Sequence, residues 1–386
     1  MSVLAPTVWS LPRTRLGLDG WLLFAAGCLL LWGLVMVASA SVAQAEKLTG
    51  EPFYYLWRQL MFAGFGLVAG LAVYCVPTQQ WQQSSWLLLL LAIFLLVLVL
   101  IPGVGIKVNH ARRWIDLELF RLQASEPARL ALIIYLASYI ARRQSELQNS
   151  LSGLLKPLAL LLIPALLLML EPDFGSTVIL FGVAFLMLFL GGAPVLYFAV
   201  LLLVGGLLLG GAALMESYRI ERLMNFTNPW ANIEHGGWQL AQSLIAVGRG
   251  EWFGVGLGNS VQKLLYLPEM HTDFIFAILA EEFGLLGVSL LIGLFCTLVW
   301  RGFAIGRDAE QRNALFHAYL CYGLSGWLAL QTLINMAVNM GLLPTKGLTL
   351  PLVSYGGSSL ITVCALLALI LRVDYENRVA TEEARR

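Results

Sequence analysis

Runs of roughly 17 to 25 mostly apolar residues recur along this chain, the length a helix needs to cross a bilayer. They fall at 21–42, 56–76, 86–102, 126–140, 154–170, 174–190, 195–215, 274–300, 314–342 and 352–371. Backbone in hydrocarbon must satisfy its own N–H and C=O groups, so such spans are helical. The pattern predicts an all-α, polytopic integral membrane protein with about ten transmembrane helices in one membrane domain over 1–386. Composition agrees: 59% of the 386 residues are hydrophobic and 12% are charged, against about 25% charged in a soluble domain. The fourth run is the weakest, because Glu126 and Arg129 open it, and the ninth is long enough to include an interfacial turn.

The first run has a decoy attached. Arg13 and Arg15 precede it, and small residues at 38–45 imitate a signal-peptidase site. The apolar stretch is a full span, whereas a signal h-region holds about 7–15 residues, so it is expected to stay as the first helix. Lys and Arg are divided almost evenly between the two sides. Long loops are discounted in the positive-inside rule. Once 103–125 and 216–272 are set aside, only Lys47 and Lys346 remain outside. Both tails, 1–20 and 373–386, are therefore expected in the cytoplasm, with 103–125 and the large 216–272 loop on the outer side.

Several classes are disfavoured. A net charge of +1 offers nothing to nucleic acid, since bulk charge drives that binding. Cys28, Cys75, Cys296, Cys321 and Cys364 lie in apolar runs without a CxxC pair, which suggests neither zinc nor a disulfide framework. The glycine-dense stretch 248–259 has neither a Walker A pattern nor a strand-borne G-x-G-x-x-G. With no nucleotide site, any reaction must draw its energy from the substrate.

The outer loops hold the chemistry. At Leu267-Pro268-Glu269-Met270-His271-Thr272-Asp273-Phe274 a polar loop runs into an apolar helix. Two readings of Asp273 stand side by side. It, or Thr272, could cap the following helix, as Asp and Thr often do. It could instead be a general base at the membrane surface. Glu281 lies about 12 Å along the axis from Asp273 at 1.5 Å per residue, too far for the two to share a proton. Intramembrane carboxylates find interior partners, and for Glu281 and Glu282 the expected ones are Asn335 and Asn339. Arg129 either snorkels to water or pairs with Glu126 and faces phosphate, joined by Arg121, Arg112 and Arg113. Arginine binds phosphate oxygens with two parallel N–H groups.

Taken together, several segments resemble the SEDS family of peptidoglycan-polymerising membrane proteins. They are 35–41, 112–115, Gln123 with Ser125-Glu126, Glu171-Pro172-Asp173-Phe174-Gly175-Ser176, 228–230, 267–282 and 343–359. The likeness spans about 20–378, and the segments at 248–250, 256–263 and 345–349 look like the division member more than the elongation member. The resemblance implies a peptidoglycan glycosyltransferase acting on lipid II, with Asp273 as the essential acid. It implies Arg121, Glu126 and position 129 as cavity residues, and Lys346, Ser354 and Ser358 as further substrate-binding residues. Position 129 is Arg where the family usually has Lys, Ala124 stands for a usual Pro, and His110 for a usual Gly.

The implied partners are lipid II, the nascent glycan on undecaprenyl pyrophosphate, a class B penicillin-binding transpeptidase and other division membrane proteins at the septum of the bacterial inner membrane. No cofactor is demanded, although a divalent cation, Mg or Mn, could assist the leaving pyrophosphate. A lipid II transporter, an elongation-type polymerase and a docking scaffold are the competing readings.

Overall fold

In the computed structural model, which describes residues 17–108, 111–118, 120–214, 226–231, 237–345 and 347–385, the apolar runs are helices. In chain order they are α1 (Gly20–Thr49), α2 (Tyr54–Cys75), α3 (Thr78–Gln83), α4 (Ser85–Leu100), α5 (Ser125–Asn149), α6 (Leu151–Leu170), α7 (Phe174–Leu190) and α8 (Val195–Leu214). They continue as α9 (Trp238–Gly250), α10 (Ile275–Gln311), α11 (Leu315–Asn339) and α12 (Gly357–Arg385). His110 and Lys346 lie outside the described residues, as do 1–16 and most of 215–236.

Five helices, α1, α2, α6, α10 and α12, are long and apolar enough to cross a membrane, and α4, α7 and part of α8 are shorter apolar helices. Large apolar side chains point outward along them, among them Phe24, Leu67, Phe94, Leu166, Leu196 and Leu290. Meanwhile Glu126, Arg129, Glu281, Glu282, Gln331 and Asn339 are buried inside. Apolar outside with polar inside is the arrangement a bilayer selects. The tightest neighbours are α2 with α12, α10 with α11, α4 with α5, and α1 with α10.

The fold is not wholly helical. The 103–125 loop forms a three-stranded antiparallel sheet of β1 (Gly105–Val108), β2 (Ala111–Asp116) and β3 (Arg121–Gln123). Trp114 pairs with Ile106 on one side and Gln123 on the other. Short strands with a bulge between Ile106 and Lys107 leave little alternation for a sequence reading to find.

The 216–272 segment, expected as an outer loop, contains a helix. Its α9 packs along α10. Ser243 donates to the Asn339 carbonyl at the end of α11 (2.7 Å). Gly250, about 10 Å further along at 1.5 Å per residue, lies so close to the Ala280 carbonyl that a Cβ would collide with it. The segment therefore descends beside the first part of α10 and returns.

What it meets there is a break in α10. Gly284 has φ 62 and ψ −161, a region that only glycine occupies without strain. The freed backbone groups bond to the returning segment. Leu285 N–H donates to Glu251 O (2.8 Å) and Leu286 N–H to Trp252 O (3.1 Å). In the other direction, Val255 N–H donates to Glu281 O and Gly256 N–H to Glu282 O (3.0 Å each).

A side chain at 284 would carry strain of about 1–3 kcal/mol and meet the backbone of Gly250, Phe253 and Gly254. Gly284→Leu is therefore expected to lower the thermal midpoint of the detergent-solubilised protein by several degrees. An unchanged midpoint would contradict the break.

Candidate active site

Asp273 ends a turn built by Glu269, whose carbonyl accepts from Thr272 N–H (3.2 Å) and Phe274 N–H (3.1 Å). Neither Thr272 nor Asp273 is the helix cap. Thr272 Oγ1 bonds to the Glu269 carboxylate (2.6 Å), and the cap position is Phe274, which makes no side-chain cap bond. Asn339 does the capping from the neighbouring helix, its Oδ1 accepting from Ala277 N–H (3.3 Å). The Asp273 carbonyl accepts from the Nδ2 groups of both Asn335 and Asn339, each at 3.0 Å. The two asparagines thus fix the Asp273 backbone instead of pairing with Glu281 and Glu282.

The Asp273 side chain is half-buried and points at the loop ahead of α12. A Cβ on Gly347 would stand 2.9 Å from its Oδ2, so glycine there allows the carboxylate to approach the backbone. Ser354 holds that loop in place. Its Oγ donates to Thr272 O (2.6 Å) and accepts from Leu350 N–H (2.8 Å). Tyr355 N–H donates to His271 O (2.9 Å), Asn335 Nδ2 to Leu348 O (2.5 Å) and Gln331 Nε2 to Thr349 O (2.9 Å). Gln59 of α2 donates to Ser354 O (3.1 Å).

An aromatic wall closes one side. The His271 ring lies 4.5 Å from that of Tyr55 and 5.5 Å from that of Tyr355. Burial pushes His271 down to about 4, only partly offset by Glu269, so the ring is neutral. Burial pushes Tyr355 up to about 12, against the pull of the Arg58 and Arg121 guanidiniums. Those two cations therefore stand near Tyr355. Arg121 is exposed on β3 and has no carboxylate partner among the described residues. Arg58, donating to Tyr54 Oη (2.9 Å), was missed in the sequence. Its signal was an arginine one turn inside a span at the end expected to be outer, where the positive-inside rule offers no reason for it.

The other residues expected at the site occupy the layer beneath or behind it. Arg129 is 2% exposed and does not snorkel. Its guanidinium donates to Gln331 Oε1 (3.1 Å) and Ser176 Oγ (2.9 Å), lies 3.7 Å from Glu126, and sits 4.8 Å from the Trp327 ring centre. Glu126 is buried with it. Arg113 donates to the carbonyls of Glu171 and Pro172, and Arg112 to Leu100 O. Ser358 Oγ donates to Arg121 O and accepts from Gln123 N–H, both 2.9 Å, which ties β3 to α12. Of the expected set, Asp273 is half-buried and Arg121 is exposed. Arg112, Arg113, Ser354 and Ser358 hold backbone, and Glu126 and Arg129 form a buried layer.

Glu281 and Glu282 are saturated elsewhere. Glu281 accepts from Arg249 (3.1 Å), Ser260 Oγ and the N–H groups of Val261 and Gln262. Glu282 accepts from Lys263 (3.0 Å) and Ser39 Oγ (2.7 Å). Burying these carboxylates fully is tolerable only because each has a cation and further donors. They clamp the returning 249–263 segment to the half-helix that begins just after Asp273.

The fold and site define a multi-helix membrane protein with a half-buried acid beside a rigidly held loop. The family described as "Cell cycle protein" (FtsW/RodA/SpoVE) matches residues 20–379, and the chain belongs to that family. It is 52% identical over 381 residues to a probable peptidoglycan glycosyltransferase FtsW of Alkalilimnicola ehrlichii, covering 98% of this chain and 91% of that one. A protein of the same description from Nitrosococcus halophilus is 51% identical over 360 residues, with 93% of each covered. Among solved structures, a chain of a peptidoglycan synthase complex that coordinates polymerization and crosslinking matches with TM-score 0.77 and 29% identity over 94% of this chain and 99% of that one. The rod shape determining protein RodA of Thermus thermophilus matches with TM-score 0.70 and 29% identity, covering 95% and 99%.

Two titrations follow from burial. The His271 value falls from 6.5 to about 4, so the unfolded chain binds the extra proton and stability drops as pH falls from 6.5 to about 4. In His271→Phe that part of the acid sensitivity of the thermal midpoint should vanish. Burial, with Asp173 adding and Arg113 opposing, raises Glu171 from 4.5 to about 9. Here the folded state holds the proton, so stability is lost as pH rises from 4.5 to about 9. Glu171→Gln should flatten the alkaline side of the same profile, and a steeper alkaline loss would refute it.

Proposed function

We propose that this chain is a peptidoglycan glycosyltransferase that polymerises lipid II during septal wall synthesis, with Asp273 as the general base. The observation that carries this is the Asp273 carboxylate, held half-buried against Gly347 on a backbone pinned by Asn335 and Asn339, on a loop whose Tyr355 feels the guanidiniums of Arg121 and Arg58. The names of the relatives support the same activity.

The growing glycan on its lipid pyrophosphate is the donor, and lipid II is the acceptor. Asp273 takes the proton of the acceptor GlcNAc 4-hydroxyl while that oxygen bonds to C1 of the donor MurNAc. The C1–oxygen bond to pyrophosphate breaks, the lipid pyrophosphate departs, and configuration inverts. Asp273 then releases its proton to water. One carboxylate suffices, since Glu281 is committed to Arg249 and the 260–262 turn. Arg121 and Arg58 offset charge on the leaving group, as preorganised donors do. Arg129 and Glu126 act from beneath, through Gln331 and the Thr349 backbone it holds. Lys346 belongs to the same reading by its place beside Gly347 in the chain.

Among the described residues no three His, Cys, Asp or Glu side chains gather as a metal site. A magnesium or manganese ion arriving on pyrophosphate oxygens would need only one or two carboxylates, and no step is assigned to it here. The reading includes ten spans, both termini in the cytoplasm, a location at the septum and a class B penicillin-binding transpeptidase as partner. The match to a synthase complex that couples polymerization to crosslinking supports that partner.

Asp273→Ala, purified with the partner and given lipid II, should lose at least about a hundredfold in glycan polymer on a gel, the scale of a removed general base. Arg121→Ala should lose less. Polymer at the wild-type level from Asp273→Ala would overturn the assignment.

A further inference from the structure

A cavity of about 600 Å³ lies between α1, α2 and the 257–264 segment, away from the Asp273 carboxylate. Its walls include Leu34, Val35, Ala38, Val42, Leu56 and Leu257, and its polar groups are Lys263 and Ser39, part-way along it. The depth of those two groups can be gauged from an ion pair at the inner side, where Arg301 of α10 meets Asp19, the N-cap of α1. Counting up α1 from Asp19 to Ser39, or up α10 from Arg301 to Glu282, gives about 30 Å on either path. That is the thickness of the hydrocarbon core. Ser39, Glu282 and Lys263, which bond to one another, therefore stand at the outer headgroup boundary, and the part of the groove along Leu34, Val35 and Ala38 lies on the hydrocarbon side of them.

We propose that this groove is a binding site for an outer-leaflet anionic glycerophospholipid, with its phosphodiester on Lys263 and its chains along α1 and α2. Glu282 lies behind the ammonium and is fully buried, whereas Lys263 is 12% exposed. Of the three N–H donors of the ammonium, one goes to Ser39 and one to Glu282, which leaves the third for a phosphate oxygen. The buried carboxylate keeps the cation charged and fixed at that height. Trp252 and Phe253 of the same returning segment are exposed at the level of Leu285 and Leu286, below the boundary, where they face lipid.

The groove extends from Leu34 to Ala43, roughly 14 Å of helix. A substrate pyrophosphate is a poor match, since Lys263 is the one cation among the lining residues and Asp273 lies toward Gly347 instead. The inner and outer sides are those of the orientation proposed above, and the site does not depend on the glycosyltransferase chemistry.

The test is native mass spectrometry of the protein in nanodiscs containing phosphatidylglycerol and phosphatidylcholine. Wild type should retain one phosphatidylglycerol, and Lys263→Met should retain on the order of tenfold less, the value of one charge-assisted hydrogen bond. Because Lys263→Met also strips Glu282 of its cation, Ala38→Phe provides the second variant. It fills the groove with the ion pair intact and should lose the lipid equally. Equal retention by wild type and Ala38→Phe would overturn the proposal. So would displacement of phosphatidylglycerol by added polyprenyl phosphate, or retention of phosphatidylcholine equal to phosphatidylglycerol.

Discussion

A helix that stops at Gly284 inside a membrane bundle must hand its open amides and carbonyls to something other than lipid. In this chain the recipient is the 250–256 backbone, which enters beside α10 for that purpose. Unsatisfied groups at that depth would each cost several kcal/mol, so the break and the returning segment require each other. Glu281 and Glu282, one residue apart at the end of the half-helix, fasten the two with Arg249, Ser260 and Lys263. The short helix that starts at Ile275 is thereby fixed at its lower end.

Its upper end is fixed from α11. Asn335 and Asn339 are one turn apart, and both reach the Asp273 carbonyl. Asn335 also reaches Leu348, across the site. One helix thus sets the spacing between the acid and the loop it faces. Ser354, Gln331 and Gln59 repeat the arrangement with backbone carbonyls as their targets. Side-chain-to-backbone bonds of this kind hold an irregular loop rigid where no helix or sheet ladder can. A base that must meet a sugar hydroxyl within hydrogen-bond reach needs that rigidity.

Much of the fold was legible because hydrocarbon imposes one rule on every span. The run at 154–170 matches α6 and that at 174–190 matches α7 closely, whereas α1 continues past 42 through Gln44, Glu46 and Lys47. Polar residues carry that helix beyond the membrane, where hydropathy no longer marks it. The sheet at 105–123 and the descent of α9 were not legible. Strands of three to six residues show little alternation, and an amphipathic helix inside a long polar stretch looks like loop. The break was hidden because Gly284 in an apolar run looks like a packing glycine.

At the candidate site, Asp273 stood out in the sequence by its place where polar residues turn apolar, and Arg121 by a charge on the side expected to be outer. The partners of Glu281 and Glu282 were misassigned. Their cations sit on a segment whose descent follows from tertiary structure, while Asn335 and Asn339 looked suitable through helical spacing alone. Arg129 and Glu126 were correctly paired, yet what satisfies the buried Arg129 guanidinium is Gln331 and Ser176 from other helices. Long-range contacts of that kind leave no local trace in a single sequence.

The central claim is that one carboxylate, on this pinned turn, removes the acceptor proton. The most direct measurement is the single-turnover rate of glycan extension by Asp273→Ala with and without added formate, a small carboxylate able to enter the vacated space. The account predicts no detectable extension alone and partial recovery with formate. Extension at the wild-type rate without formate would contradict it.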